Sequence, residues 1–201
     1  MSCSSADGGA APDGPEVEVA VVSDSEIAPE VIDMVDGAPS VDVSSAFQLD
    51  GATMSELDEA ANEAIAGDAG VLLYAGGTND LPSGPALMLE GLTSRLRSYS
   101  AERCVVVAVP VFRYEAGTEA EVAERTAGTR VLEEAVADAG ATVVSYLDVS
   151  RSMAAEGEDF FAEGELGDLH PGQAAHARIA EAIGAGIDVA VAASVDGCGT
   201  D

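Results

Sequence analysis

Four short polar segments of this chain carry side chains that suit acyl-transfer chemistry. They are Ser23-Asp24-Ser25, Asp50-Gly51-Ala52-Thr53, Gly77-Thr78-Asn79-Asp80 and Gly167-Asp168-Leu169-His170-Pro171. Acyl transfer requires a nucleophilic hydroxyl, a base that removes its proton, and donors aimed at the oxyanion that forms. Ser25 would be the nucleophile and His170 the base. The backbone N–H groups of Ser25 and Gly51, together with the Asn79 side-chain amide, would form the oxyanion hole.

The elements that would position these side chains alternate between apolar runs and helical stretches. Strands are predicted at residues 17–22, 41–47, 71–75, 105–111 and 141–147. Apolar strands separated by helices are typical of a parallel sheet that is covered on both faces. The sequence therefore predicts an α/β fold, a three-layer α/β/α sandwich with a five-stranded parallel sheet.

Capping signals place the helices between these strands. Helices are predicted at residues 26–35, 53–66, 87–99, 118–139 and 172–193. Pro29 is tolerated only near the first turn of its helix, whereas Thr53 with Glu56 three residues later is the pattern of a capping box. Gly140 is expected to end the fourth helix.

The order of these elements brings the polar segments together. In a parallel sheet, ligands bind outside the carboxyl ends of the strands. Ser25, Gly51 and Asn79 each follow one of the first three strands, so they are expected at one edge of the sheet. His170 precedes the last helix, in a loop that would return to the same edge.

With these motifs the chain resembles the SGNH hydrolases, also called the GDSL esterase/lipase family, over about residues 17–187. Ser25 matches the nucleophile of the first block and Gly51 the glycine of the second. Asn79 within Gly-Thr-Asn-Asp matches the third block, and His170 before a proline matches the base of the last. The resemblance implies the flavodoxin-like SGNH fold and a serine esterase that hydrolyses a small ester with a short or medium acyl group.

Two positions depart from the family pattern. Ser23 stands where the first block usually has glycine, and Gly167 stands where the last block has an aspartate three residues before the histidine. The nearest acid, Asp168, is two residues before His170. A carboxylate on the Nδ1 side of the base fixes its tautomer and stabilises the imidazolium. Either the loop bulges so that Asp168 fills this role, which we favour, or a backbone carbonyl replaces it, or the site is impaired.

The charge of the chain is strongly one-sided. Its 37 acidic residues face eight basic ones, all of them arginine, which gives a formal charge of -29. Such a surface repels itself in dilute buffer, whereas in molar salt the screening length falls to about 3 Å. The composition therefore predicts a protein of an extreme halophile. It argues against nucleic acid as a partner, because phosphates would meet a like-charged field.

Length and composition predict one domain at residues 16–193, between a disordered leader at 1–15 and a flexible tail at 194–201. No membrane span and no complete signal peptide are expected, which favours the cytoplasm. The alternative is a secreted or lipid-anchored protein held through Cys3, if the true start lies upstream. The three cysteines predict neither a disulfide framework nor a catalytic thiol.

Other interpretations of the same residues stay open. Ser25 could simply cap the following helix, and His176 is expected to have no role. The whole fold could serve as a catalytically impaired binding module, or as a nucleotide binder for which Gly76-Gly77-Thr78 is the one weak phosphate-binding candidate. The esterase interpretation requires no metal and no organic cofactor, and its partner would be a small-molecule ester.

Overall fold

The computed structural model of the protein describes residues 16–111, 119–161 and 170–194. The strands are β1 (Val17–Ser23), β2 (Val41–Gln48), β3 (Val71–Ala75), β4 (Cys104–Val109) and β5 (Thr142–Ser145). The helices are α1 (Pro29–Asp36), α2 (Met54–Ala66), α3 (Pro85–Ser100), α4 (Glu119–Asp138), α5 (Tyr146–Glu156) and α6 (Gln173–Ala193), with a 3₁₀ helix at Thr78–Ser83. All neighbouring strands pair in parallel in the order β2-β1-β3-β4-β5. The predicted α/β sandwich is confirmed.

Two apolar layers hold the helices against the sheet. Alternate residues of β1 and β3, such as Val21 and Leu73, face α1 and α6, where they pack with Ile179 and Ile183. The remaining residues of these strands face α2, α3 and α4. Each fully buried aliphatic side chain contributes roughly 1.5–3 kcal/mol. This burial stabilises the central strands, whose ends carry the loops of the site.

The predicted capping box is present at the start of α2. The Glu56 side chain accepts hydrogen bonds from the Thr53 N–H at 2.9 Å and from its hydroxyl at 2.8 Å. Pro29 occupies the first turn of α1, as expected, but the helix begins there rather than at residue 26. Residues 24–28 instead form the turn that carries Ser25.

The prediction for the fifth strand was wrong at its end. The apolar run was expected to stay extended to residue 147, but α5 begins at Tyr146. The Ser145 side chain caps this helix by accepting the Asp148 N–H at 3.1 Å. Tyr146 and Leu147 are buried. A short run of buried apolar residues looks the same in sequence whether it forms a strand or the start of a helix, which explains the error.

Strand β2 lies at the edge of the sheet and is the least covered. Phe47 in this strand is 40% exposed, and Leu49, just after its end, is 43% exposed. The Asp36 carboxylate accepts the Val43 N–H at 2.8 Å. The strand is therefore less buried than the apolar strand that the sequence predicted.

Cys104 at the start of β4 is disulfide-bonded, so the prediction of no disulfide was wrong for this residue. Cys3 and Cys198 lie outside the described residues, as do the predicted leader at 1–15, the tail from 195 onwards and Thr118, the first residue of the predicted fourth helix. Among the helices described, none is long and apolar enough to cross a membrane.

Candidate active site

The nucleophile candidate lies in the turn after β1. The Asp24 N–H donates to the Ala75 carbonyl at the end of β3 at 2.9 Å, which ties this turn to the neighbouring strand. Within the turn, the Glu26 N–H donates to Asp24 Oδ1 at 3.0 Å. Ser25 lies between these two residues and is half-buried. Its side chain is thus presented at the carboxyl edge of the sheet.

His170 meets Ser25 at this edge. The Nε2 atom of His170 lies 2.8 Å from the Ser25 Oγ, within hydrogen-bond range. The histidine is held by an antiparallel bridge between Phe161 and Pro171, and by a 2.8 Å hydrogen bond from the Gly172 N–H to the Phe160 carbonyl. In the tautomer with an unprotonated Nε2, the imidazole accepts the hydroxyl proton of Ser25.

Gly51 lies in the loop after β2 with a φ of 75°. This left-handed conformation is one that glycine adopts without steric cost. The Ala52 N–H donates to the Leu49 carbonyl at 3.0 Å and closes the turn around it. Apart from its neighbours in the chain, no residue has an atom within 4 Å of the position that a Cβ of residue 51 would occupy, so the space beside this backbone is open.

The Asn79 amide connects the first two loops. Its Nδ2 donates to the Ala52 carbonyl at 3.0 Å and to Asp24 Oδ2 at 3.3 Å. An amide nitrogen has two hydrogens, so both are directed at acceptors of the protein. An oxyanion would have to share the longer of these two bonds.

Asp80, the next residue, fixes the third loop to a helix. Its Oδ2 accepts the Met54 N–H at 2.9 Å, at the N-terminus of α2. A negative charge is favourable at a helix N-terminus, where backbone N–H groups lack partners. Three strand-end loops are thereby linked through Asp24, Ala52, Asn79 and Asp80.

Two buried carboxyl groups flank Ser25. Asp24 is fully buried, and this burial raises its pKa to about 6; the Glu26 N–H lowers the pKa, while the charges of Asp80 and Asp50 raise it. Burial also raises the pKa of Glu26, to about 8, and the charge of Asp24 adds to this shift. The hydroxyl of the buried Tyr146 donates to the Glu26 backbone carbonyl at 3.1 Å. The carboxyl groups on both sides of the nucleophile therefore lie in surroundings that disfavour their charged forms.

Sequence reasoning missed these two carboxyl groups as parts of the site. The sequence shows that Ser25 stands between two acidic residues, Asp24 and Glu26. Their positions in the sequence alone do not say whether these acids are buried. It also missed the contact of Asp80 with α2. The predicted orienting acid, Asp168, lies outside the described residues. Among the residues described, the only hydrogen bond of the His170 ring is the one to Ser25.

Two surface grooves are lined by residues other than Ser25, Gly51, Asn79 and His170. One, of about 580 Å³, runs between α1 and α6 beside Met34 and Gly184. The other, of about 520 Å³, lies between β2 and α2 beside Phe47 and Ala60. Within the described ranges, no group of three or more histidine, cysteine or acidic side chains is placed to hold a metal ion.

The fold is similar to that of several solved acyl-processing enzymes. A lipase/acylhydrolase from Enterococcus faecalis superposes with a TM-score of 0.62 at 18% identity, covering 87% of this chain and 95% of that one. Axe2, an acetylxylan esterase from Geobacillus stearothermophilus, gives 0.60 at 14% identity with the same coverage. The catalytic domain of peptidoglycan O-acetyltransferase A from Streptococcus pneumoniae gives 0.56 at 15%, covering 88% and 96%.

These likenesses, all below 25% identity, show that the chain has the same fold as these proteins. They also include a member of the lipolytic G-D-S-L family from Veillonella parvula, at 14% identity and a TM-score of 0.59, covering 83% of this chain and 95% of that one. No protein-family model and no curated protein sequence matches the chain.

Proposed function

We propose that this protein is a serine esterase of the SGNH type. The observation that carries the proposal is the 2.8 Å contact between His170 Nε2 and Ser25 Oγ at the carboxyl edge of the parallel sheet. A hydroxyl and an imidazole at this distance form the minimal nucleophile and base of acyl transfer. The solved proteins with the same fold, which include esterases by name, support the same chemistry.

In the proposed reaction, Ser25 Oγ attacks the ester carbonyl while His170 Nε2 takes its proton. The tetrahedral oxyanion is held by the backbone N–H groups of Ser25 and Gly51 and by the Asn79 amide. His170 then gives its proton to the departing alcohol, which leaves an acyl group on Ser25. Water, activated by the same imidazole, hydrolyses this acyl-enzyme. These steps need no metal or organic cofactor.

For the substrate, we propose small esters with short or medium acyl groups. Aromatic residues make up only 4% of the chain and tryptophan is absent, so an aromatic platform for stacking sugars has few candidates. We therefore place polysaccharide deacetylation second, although the names of similar structures include acetylxylan esterases.

The test is hydrolysis of p-nitrophenyl acetate and p-nitrophenyl butyrate in molar KCl, by wild type and by Ser25→Ala. Circular dichroism of both proteins provides the folding control. An active wild type with an inert, folded Ser25→Ala variant supports the esterase. Equal release of p-nitrophenol by the two proteins would instead show that the release does not come from Ser25.

A second candidate function is a catalytically impaired binding module on the same fold. It is favoured by Gly167, which stands where the family has its orienting aspartate, and by the Asn79 amide, whose two hydrogens are directed at protein acceptors. An irreversible organophosphonate probe separates the two functions, because only an activated serine reacts rapidly with it. Ser25 labelling identified by mass spectrometry supports the esterase, and its absence supports the module.

We also propose that the protein comes from a halophile. The excess of acids and the lack of lysine support a medium of high ionic strength.

For the compartment, the disulfide at Cys104 favours a secreted or lipid-anchored protein over a cytoplasmic one, because disulfides persist mainly in oxidising compartments. Fractionation of the native host, with detection of the protein in the cytosol, membrane and medium, tests the compartment.

A further inference from the structure

The Asp24 carboxylate bridges the nucleophile turn and the third loop. One of its oxygens accepts the Glu26 N–H at 3.0 Å, and this contact joins the two residues on either side of Ser25. The other accepts the Asn79 amide at 3.3 Å. Asp24 is fully buried, and its own N–H is bound to the Ala75 carbonyl at 2.9 Å. One buried side chain therefore links the backbone around Ser25 to the side chain of Asn79.

The Asn79 amide is held from two sides by this arrangement. The Ala52 carbonyl accepts one of its hydrogens at 3.0 Å, beside Gly51 in the second loop. The hydrogen that faces Asp24 is the more weakly held, because that bond is 0.3 Å longer than the bond to Ala52. Hydrogens shared between two acceptors are common in proteins. The amide can thus donate to an oxyanion while it remains oriented by its two existing partners.

We propose that Asp24 is a positioning residue that acts through Asn79, setting the oxyanion-hole amide at a fixed place relative to the Ser25 hydroxyl. The inference rests on the proposed esterase function. It assigns a specific task to a residue that does not itself touch the substrate. Displacing a catalytic donor by about 1 Å costs on the order of 100-fold in rate, so the alignment has a measurable effect.

Asp24→Asn is the informative change because it keeps the shape of the side chain. An asparagine still offers an oxygen to the Glu26 N–H, but it then turns an NH₂ group toward the Asn79 NH₂ group. Two donors cannot bind each other, so Asn79 loses its second partner. Asp42→Asn is the matched control, since it makes the same chemical change at an exposed position of β2.

The experiment is a double-mutant cycle with Asp24→Asn, Asn79→Ala and the double variant, measured with p-nitrophenyl acetate in molar KCl. We expect Asn79→Ala to lower kcat by about 10²–10³-fold. Asp24→Asn should lower kcat by about 10–100-fold with little change in KM, and Asp42→Asn should match wild type. The double variant should be no slower than Asn79→Ala alone, because Asp24→Asn keeps the oxygen that accepts the Glu26 N–H and changes only the contact with the Asn79 amide.

The outcomes separate this inference from the proposed function. An active wild type with an unchanged kcat in folded Asp24→Asn overturns the inference alone, and so do losses that multiply in the double variant. A wild type that neither hydrolyses esters nor reacts with the organophosphonate overturns the proposed function and this inference with it.

A second measurement keeps the inference testable if Asp24→Asn does not fold. Carboxyl carbon NMR titration gives the pKa of Asp24 in wild type and in Asn79→Ala. Removing a donor to the carboxylate disfavours its charged form, so the pKa of Asp24 should rise in Asn79→Ala. An unchanged pKa would show that the two side chains are not coupled and would overturn the inference.

Discussion

The imidazole of His170 lies 2.8 Å from the hydroxyl of Ser25, although 145 residues separate them in the chain. Ser25 is carried by the turn that ends β1, and His170 precedes α6, which packs across the sheet near β4 and β5. Their meeting is thus a product of the whole α/β topology rather than of a local motif. The contact depends on the parallel strands ending at one common edge, which a chance contact between surface residues would not need.

Replacing His170 tests its role as base. His170→Gln should lower kcat for p-nitrophenyl acetate by at least about 10³-fold, because glutamine cannot take the proton of Ser25. His176→Gln is the matched control on α6, six residues further along the chain. The Nδ1 of His176 is buried without a hydrogen-bond partner among the described residues, and the ring takes no part in the proposed reaction. Similar losses in both variants would contradict a specific role for His170.

Asp168 is predicted to orient the ring of His170. Asp168→Asn should lower kcat by about 10³–10⁴-fold while KM stays nearly unchanged, since a carboxylate there fixes the tautomer and stabilises the imidazolium. Glu165→Gln, in the same segment, is the control. A wild-type rate in Asp168→Asn would assign the orienting role to another group, such as a backbone carbonyl.

Gly51 and Gly157 form a matched pair for testing the second loop. Their φ angles are 75° and 82°, and at both positions an added Cβ would have no atom within 4 Å apart from its chain neighbours. Alanine at either position should cost about 1 kcal/mol of unfolding free energy, because it disfavours the left-handed conformation.

Only Gly51→Ala should also lower kcat, by about tenfold or more, since relaxation of its turn would move the N–H that we propose as an oxyanion donor. Denaturation in molar KCl measures the first effect and p-nitrophenyl acetate hydrolysis the second. If the two alanine variants had equal kcat values, Gly51 would not be part of the oxyanion hole.

The sequence allowed the sheet edge to be predicted, because apolar runs ending in polar residues mark where buried strands stop. Strand β3 (Val71–Ala75) was predicted at its full length for this reason. The start of α5 was missed because Tyr146 and Leu147 are buried equally well in a strand or a helix. The burial of Asp24 and Glu26 was also missed, since it depends on which side chains of distant elements pack over the turn.

Burial of Glu26 predicts that stability falls as the pH rises. The folded protein holds the pKa of Glu26 near 8, above its ordinary value of 4.5. The folded state therefore binds a proton more tightly than the unfolded state between these values, and stability declines as the pH rises through this window. Glu26→Gln removes the buried charge and should raise the unfolding free energy at pH 9 by roughly 2–4 kcal/mol.

At pH 4, where Glu26 is protonated in wild type, Glu26→Gln and wild type should have nearly equal stability. Glu30→Gln, an exposed substitution on α1, is the control for loss of one acidic group. Chemical denaturation of the three proteins at both pH values, in molar KCl, provides the measurement. A gain in Glu26→Gln of the same size at both pH values would show that ionisation of Glu26 is not its cause.

The acidic composition predicts that folding requires salt. On α2, Glu56, Glu59 and Glu63 are exposed at spacings of three and four residues, where like charges repel. The screening length is about 10 Å at 0.1 M salt and about 3 Å at 1 M. The melting temperature followed by circular dichroism should therefore rise steeply as KCl is increased over this range. Sucrose, which stabilises compact states without screening charge, should rescue the fold much less. Equal melting temperatures at the two salt concentrations would remove the basis for proposing a halophilic protein.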